Sequence, residues 1–413
     1  MTTDKPSETA PRAPIERRAP ETPKAEIEAR IAAFQQALRA KGIEAALVTQ
    51  NADLFYLSGT VQQSHLYVPA DGEPTLFVRK TVERARAESP LAAQVPLPSL
   101  RKLADLIRER HGALPQVVGA ELDVLPVNHF RRYESLLPAA RFVDIGPALV
   151  GLRAVKSPYE IERIRASAAV ADELCARIPG ILKEGMTEAE FAGRVEAEAR
   201  ALGHQGVIRM RAFNGEMFYG QLLSGASGAV PSFLDTPLAG SGLSPAVAQG
   251  VSFKRIGRGE PIVFDFVPVI DGYVADFTRM FVIGKLQDER LIAAYACARR
   301  AQDAVRRAAR PGVTCQTVYA AALAVADEAG LGAHFMGHGP AQVRFIGHGL
   351  GLELDELPIL SPNDRLLQQD MVFACEPKFV FPGVGAIGIE NTWVVTTDGI
   401  EPLTLSPEEL YEL

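Results

Sequence analysis

The chain has 413 residues, 47% hydrophobic and 23% charged, with 43 Lys and Arg against 50 Asp and Glu and a formal net charge of -7. That length suggests two or three domains with ample material for cores, and the acidic balance argues against nucleic acid as the main partner. No apolar run reaches the roughly 18–20 residues that span a bilayer, and the first residues carry no apolar leader segment. The four cysteines, Cys175, Cys297, Cys315 and Cys375, form no CxxC pair, which argues against a disulfide scaffold or a thiolate zinc site and for a reducing cytoplasm.

Residues 1–23 hold Pro6, Pro11, Pro14, Pro20 and Pro23 among mixed charges and show no apolar period, so a mobile tail or clasp is expected. Ile27, Ile31, Phe34 and Leu38 then mark one face of a helix that Gly42 ends. Ala45–Val48 reads as a buried strand, followed by strands at Leu66–Val68 and Thr75–Val78. Helices are expected at Val82–Ala87 and Leu103–Arg110, and a strand at Val117–Ala120. The alternation predicts a small α/β domain over residues 24–152. Ser157, Pro158 and Glu160 form a capping box that opens the next helix, and residues 153–413 are expected to make a second domain.

That second part contains an echo. Gly185, Thr187, Phe191 and Gly203 recur as Gly312, Thr314, Val318 and Gly330, each pair 127 positions apart. Turn, N-cap, apolar anchor and helix stop repeat in order, which predicts two half-domains, each with a helical pair and a β-hairpin.

The hairpins carry the chemistry. In Pro261–Val267, Asp271-Gly272 and Tyr273–Arg279, the Asp-Gly pair is a tight-turn signal. Centring the turn there sets Val267 opposite Asp276, and alternation puts Asp265 on the same face as Asp276. The second hairpin, Met371–Glu376 and Ala386–Glu390 around Gly383, sets Glu376 across from Glu390. Two like-charged pairs in apolar strands require cations or protons, and neither hairpin shows an obvious basic partner facing inward. His348, in Gly347-His348-Gly349-Leu350-Gly351, is a fifth candidate, with glycines that permit close backbone approach. Four carboxylates and one imidazole suit two divalent ions of manganese, cobalt, iron or zinc. A pair of ions about 3.5–4 Å apart would hold a water or hydroxide as nucleophile. Cys375 points to the opposite face of its strand and is expected in the core.

At these residues the sequence resembles the pita-bread metallopeptidase family, which includes Xaa-Pro dipeptidase (prolidase), aminopeptidase P, methionine aminopeptidase and creatinase relatives. The matching pieces are Arg153–Ile161, Asp265 with Asp276–Arg279, Gly347–Gly351, Glu376-Pro377 and Ile389-Glu390. The resemblance spans residues 24–413. It implies an α+β fold, with a pseudo-twofold catalytic domain behind a smaller creatinase-type α/β domain. It further implies that Asp276 and Glu390 bridge two metals, with Asp265 on one and His348 and Glu376 on the other. A homodimer and a short-peptide or small-molecule substrate are also implied. Glu376 would be proton acceptor as well as ligand.

The sequence departs from the family at three places. Asp355 stands seven residues after His348, where the peptidases usually carry a histidine. The stretch Gly225–Phe233 lacks the histidine normally upstream of the first hairpin. Gly388 stands where an arginine often precedes the last glutamate. Asp355 is therefore a candidate for catalysis or for holding a substrate ammonium, His338 a candidate acid, and Tyr219 and Arg211 candidate pocket residues. His65 reads as plain surface. The leading expectation is an Xaa-Pro dipeptidase-like hydrolase. The alternative is a family member that acts on a small zwitterion or cation, like ectoine hydrolase or dimethylsulfoniopropionate lyase.

Overall fold

The computed structural model describes residues 21–231 and 233–413. The tail expected at residues 1–23 lies outside them up to residue 20; of its remainder, Thr22 is buried. The helix Lys24–Ala40 buries Ile27, Ile31, Phe34 and Leu38, the face read from their spacing. A six-stranded sheet follows, in the order Gln94–Pro96, Thr75–Val78, Ser64–Pro69, Ala45–Val48, Val117–Ala120, Arg141–Asp144. Ala45–Val48 is buried along its whole length, as a continuous apolar run in a sheet covered on both faces should be. Helices Asn51–Ser58, Val82–Glu88, Leu103–His111, Val127–Leu136 and Gly146–Ala154 complete this part, the last crossing the expected boundary at residue 152.

The helix Pro158–Ile181 starts at the expected capping box: Ser157 Oγ accepts from Glu160 N at 3.2 Å, and Glu160 Oε2 accepts from Ser157 N at 3.1 Å. It pairs with helix Glu188–Ala201, and Glu289–Ala308 pairs with Cys315–Glu328. The echo is structural. Thr187 and Thr314 are both N-caps, reached through Gly185 at φ +81° and Gly312 at φ +84°. Each threonine also forms an isolated bridge into its own half, Thr187 with Arg255 and Thr314 with Leu366.

Two sheets lie between the helical pairs. One runs Tyr411–Glu412, Phe277–Val282, Ile262–Phe266, Gly220–Ser224; the other runs Glu356–Ile359, Gly347–Gly349, Val372–Cys375, Asn391–Val395, Ile400–Pro402. A two-stranded ribbon, Lys378–Phe381 with Gly385–Gly388, continues the second hairpin. The sheets meet where Thr278 bridges Glu390, with N–H···O distances of 3.3 and 3.2 Å in the two directions. This seam brings the acids of both hairpins together.

Candidate metal centre

The registers agree with the sequence arithmetic. Tyr273 pairs with Ile270 and Phe277 with Phe266, so Asp276 stands opposite Val267, and Asp265 pairs with Thr278. In the second hairpin Lys378 pairs with Gly388 and Phe381 with Gly385, and Ile389 N donates to Pro377 O. One step further along the same register, Glu376 faces Glu390. His348 sits on the short strand Gly347–Gly349, against Ala374. The flanking glycines are steric necessities. A Cβ on Gly347 would stand 2.1 Å from Ala374 O, and one on Gly349 would stand 2.2 Å from Leu357 O.

Asp265, Asp276, His348, Glu376 and Glu390 are all buried. One ligand atom from each of Asp276, His348 and Glu390 can be chosen so that all lie within 4.8 Å of one another. His348 Nε2 is 3.7 Å from Asp276 Oδ2 and 3.9 Å from Glu376 Oε1. Its Nδ1 faces Leu354 O at 3.1 Å and Gly349 O at 3.2 Å. Two carbonyls there accept the Nδ1 proton, which leaves the Nε2 lone pair directed at the acids. Asp276 Oδ1 is buried without a hydrogen-bond partner. An orphaned carboxylate oxygen at this depth costs about 1–3 kcal/mol or more, so the geometry fits a cation at this point. Burial and the charges of Glu390 and Asp265 push the Asp276 carboxyl well above its ordinary range. Burial and the neighbouring Glu390 also raise Asp265, against the pull of Lys378.

Lys378 overturns one reading of the sequence. The second hairpin does carry an inward basic partner. Lys378 follows Glu376 by two positions, so alternation sends both side chains to one face. Its Nζ donates to Asp265 Oδ2 at 2.8 Å, Glu376 Oε2 at 2.8 Å and Glu390 Oε2 at 2.9 Å. Burial favours the neutral amine, but Asp265, Glu376 and Glu390 outweigh it and hold the ammonium well above the ordinary lysine range. Thr278 Oγ1 adds a fourth donor, 2.8 Å from Glu390 Oε2.

The comparisons with known proteins agree with this geometry. Residues 162–397 match the model of metallopeptidase family M24, and residues 30–155 match that of the creatinase/prolidase N-terminal domain. The chain belongs to metallopeptidase family M24. It is 31% identical over 407 residues to a probable dipeptidase PepE of Mycobacterium tuberculosis, covering 94% of this chain and 96% of that one. An Xaa-Pro dipeptidase of Pyrococcus horikoshii is 29% identical over 372 residues, covering 89% and 94%. Among solved structures, an Xaa-Pro dipeptidase from Bacillus anthracis superposes with a TM-score of 0.80 at 25% identity, covering 94% of this chain and 100% of the other. The expected α+β pita-bread architecture with its creatinase-type domain is therefore the fold of this M24 member, and the chain is a metallohydrolase whose family uses divalent metal ions.

The structure does not bring the other candidates to the acids. Asp355 lies behind His348, its Oδ1 3.6 Å from Nδ1, on the side away from the carboxylates, and its side chain is half exposed. Arg211 is engaged by Asp53 Oδ2 at 2.7 Å and Asp123 Oδ2 at 2.6 Å, tying this segment to the first domain. Tyr219 packs on His204 and Phe266. His338 stacks on His334 and lines a cavity of about 770 Å³ whose walls include none of the five residues. His65, read as surface, is mostly buried, with Nδ1 unpartnered, and burial lowers its pKa to about 4.

Sequence reasoning also missed an ion network behind the site. Arg153 pairs with Asp53 at 2.8 Å, with Glu353 at 2.8 Å and with Glu356. Lys156 pairs with Glu356 at 2.8 Å. Glu356 also accepts from Leu352 N at 2.9 Å and Glu353 N at 3.1 Å, bracing the loop that presents Leu354 O to His348. The Arg153–Lys156 pair was visible in the junction motif, but its partners lie up to 203 positions away in the sequence.

Proposed function

We propose that this M24 member is a dipeptidase that hydrolyses Xaa-Pro dipeptides. The observation that carries the proposal is the convergence of Asp276, His348 and Glu390 on one point with Asp276 Oδ1 left unpaired. The printed functions of its relatives give the reaction class. A divalent ion bound by these residues and Glu376 would supply Lewis acidity and a nucleophilic water at neutral pH. Manganese is the ion we expect from the carboxylate-rich donor set.

The chain's own groups do the rest. The Leu354 and Gly349 carbonyls fix the tautomer of His348. Lys378 and Thr278 hold Glu390, and Lys378 holds one oxygen of Glu376 while Oε1 stays on the His348 side. Glu376 Oε1 is the proposed proton acceptor during attack on the amide carbonyl. The cavity of about 770 Å³ shares strands with the centre: its wall includes Ile359, which pairs with His348, and Val380, two residues along from Lys378. Phe233, Leu234 and Phe345 give it an apolar wall for a proline ring, and Arg344 and His338 give it cationic and polar groups for a free carboxylate. We propose the boundary between the two domains at residues 152 and 153, a cytoplasmic setting and a homodimer as part of the same reading.

The test is proline release from Xaa-Pro dipeptides by purified protein, before and after chelation and with manganese restored. Activity that needs the ion and falls mainly through KM in Arg344→Ala supports the proposal. Turnover of ectoine or a sulfonium zwitterion with no proline release would replace it with the alternative reaction class.

A further inference from the structure

The expected two-ion centre and the observed one differ by one side chain. An ammonium has three N–H donors, and Lys378 Nζ places all three on carboxylates, Asp265 Oδ2, Glu376 Oε2 and Glu390 Oε2, at 2.8, 2.8 and 2.9 Å. Its side chain is buried, so water does not compete for these contacts. The fold provides room for the stem. Gly388 lies directly across the ribbon from Lys378, and a Cβ there would stand 2.6 Å from Lys378 Cγ. Backbone crowds the same point, with Pro377 O at 2.6 Å and Lys378 Cα at 2.7 Å, so the ribbon closes on glycine there and the lysine stem lies over it.

We infer that the Lys378 ammonium takes the place of one of the two cations, so that this centre binds a single divalent ion on its Asp276, His348 and Glu390 side. The two sides of the acid cluster are distinct. On the Asp265 side Nζ is the cation in contact, and Thr278 is a further donor to the same acids. On the other side Asp276 Oδ1 has no partner, and His348 Nε2 stands 3.7 Å from Asp276 and 3.9 Å from Glu376, open to an ion. Charge agrees. Four carboxylates with one ammonium and one divalent ion leave a net charge of about -1, whereas a second divalent ion would leave about +1 and would have to share the oxygens that Nζ holds. Glu376 and Glu390 are shared between the two cations, so Lys378 positions the very carboxylates that face the metal.

The inference rests on reading the cluster as a cation site, and ion counting separates the two. Metal-free protein is titrated with Mn²⁺, and bound metal is counted by equilibrium dialysis and mass spectrometry, with electron paramagnetic resonance as a second readout. Wild type is expected to bind one ion per chain with the six-line signal of isolated Mn²⁺. Lys378→Ala, checked for folding by circular dichroism, is expected to bind two and show exchange coupling. Two ions in wild type, or one in both proteins, overturns the inference and leaves the cation site standing. No ion in wild type overturns the cation site as well. If Lys378→Ala does not fold, the wild-type count alone decides.

Discussion

Glu356 is the residue whose replacement tests the architecture behind the centre. Its carboxylate is buried, and burial alone would raise its pKa, but Arg153 and Lys156 outweigh that and bring it from 4.5 down to about 2. A shift of that size is worth about 3 kcal/mol. The sign follows from the depression. An unfolded chain takes up this proton near pH 4.5 while the folded one does not, so the stabilisation is complete at neutral pH and is lost as pH falls from about 4.5 towards 2. Glu356→Gln removes the charge and turns an amide N–H₂ or a single carbonyl towards two cations. Lys156 then keeps only the Arg153 carbonyl, while Arg153 keeps Asp53 and Glu353. Loss of one partner from a buried pair costs about 3–5 kcal/mol, in line with the stabilisation of the depressed carboxyl. Urea unfolding at pH 7 should show Glu356→Gln less stable by about 3 kcal/mol, or about 1 M in midpoint for a slope near 3 kcal/mol/M. At pH 3.5 the gap should narrow to about 2 kcal/mol. Because Glu356 also holds the loop carrying Leu354 O, the variant's metal affinity should fall by about 10–100-fold. A gap under about 1 kcal/mol at pH 7, or one that does not change with pH, would refute the argument that this network is an ionic clamp.

Asp276→Asn should abolish bound metal and proline release together, because it neutralises the carboxylate whose Oδ1 has no other partner; Asp355→Asn should leave the metal count unchanged and alter turnover only, since its carboxylate faces Nδ1 of His348. Equal metal loss in both would place Asp355 among the ligands. His204 is a structural histidine, accepting from Gly206 N at Nδ1 and donating to Val267 O, and burial lowers its pKa to about 4. The unfolded chain therefore binds its proton first, and stability should decline as pH falls from about 6.5 to 4. His204→Gln should flatten that decline in urea titrations across the range, and an unchanged slope would show that His204 titrates normally.

What the sequence disclosed was whatever depends on local spacing. The face Ile27, Ile31, Phe34 and Leu38, the caps at Ser157 and Thr187, and the opposition of Glu376 and Glu390 follow from helical and strand periods, and the structure reproduces them. The helix Asn51–Ser58 was not legible, because Ala52, Asp53, Leu54, Tyr56, Leu57 and Ser58 are all buried and no polar face marks a period. The Arg153 network was invisible for another reason, since its partners come from Asp53, Glu353 and Glu356 and meet only in three dimensions. Lys378 belongs to neither class. Its position two residues after Glu376 was enough to place it on the acid face, and the electrostatic argument that four buried carboxylates demand cations applied to it as much as to any metal. The strand already contained one of the cations that argument called for. Like charges in a buried sheet fix the amount of compensating charge, but they leave its carrier open between an ion from solution and a side chain of the fold. Here Lys378 decides between them, because its Nζ already reaches three of the four acids and occupies the oxygens that a second ion would need.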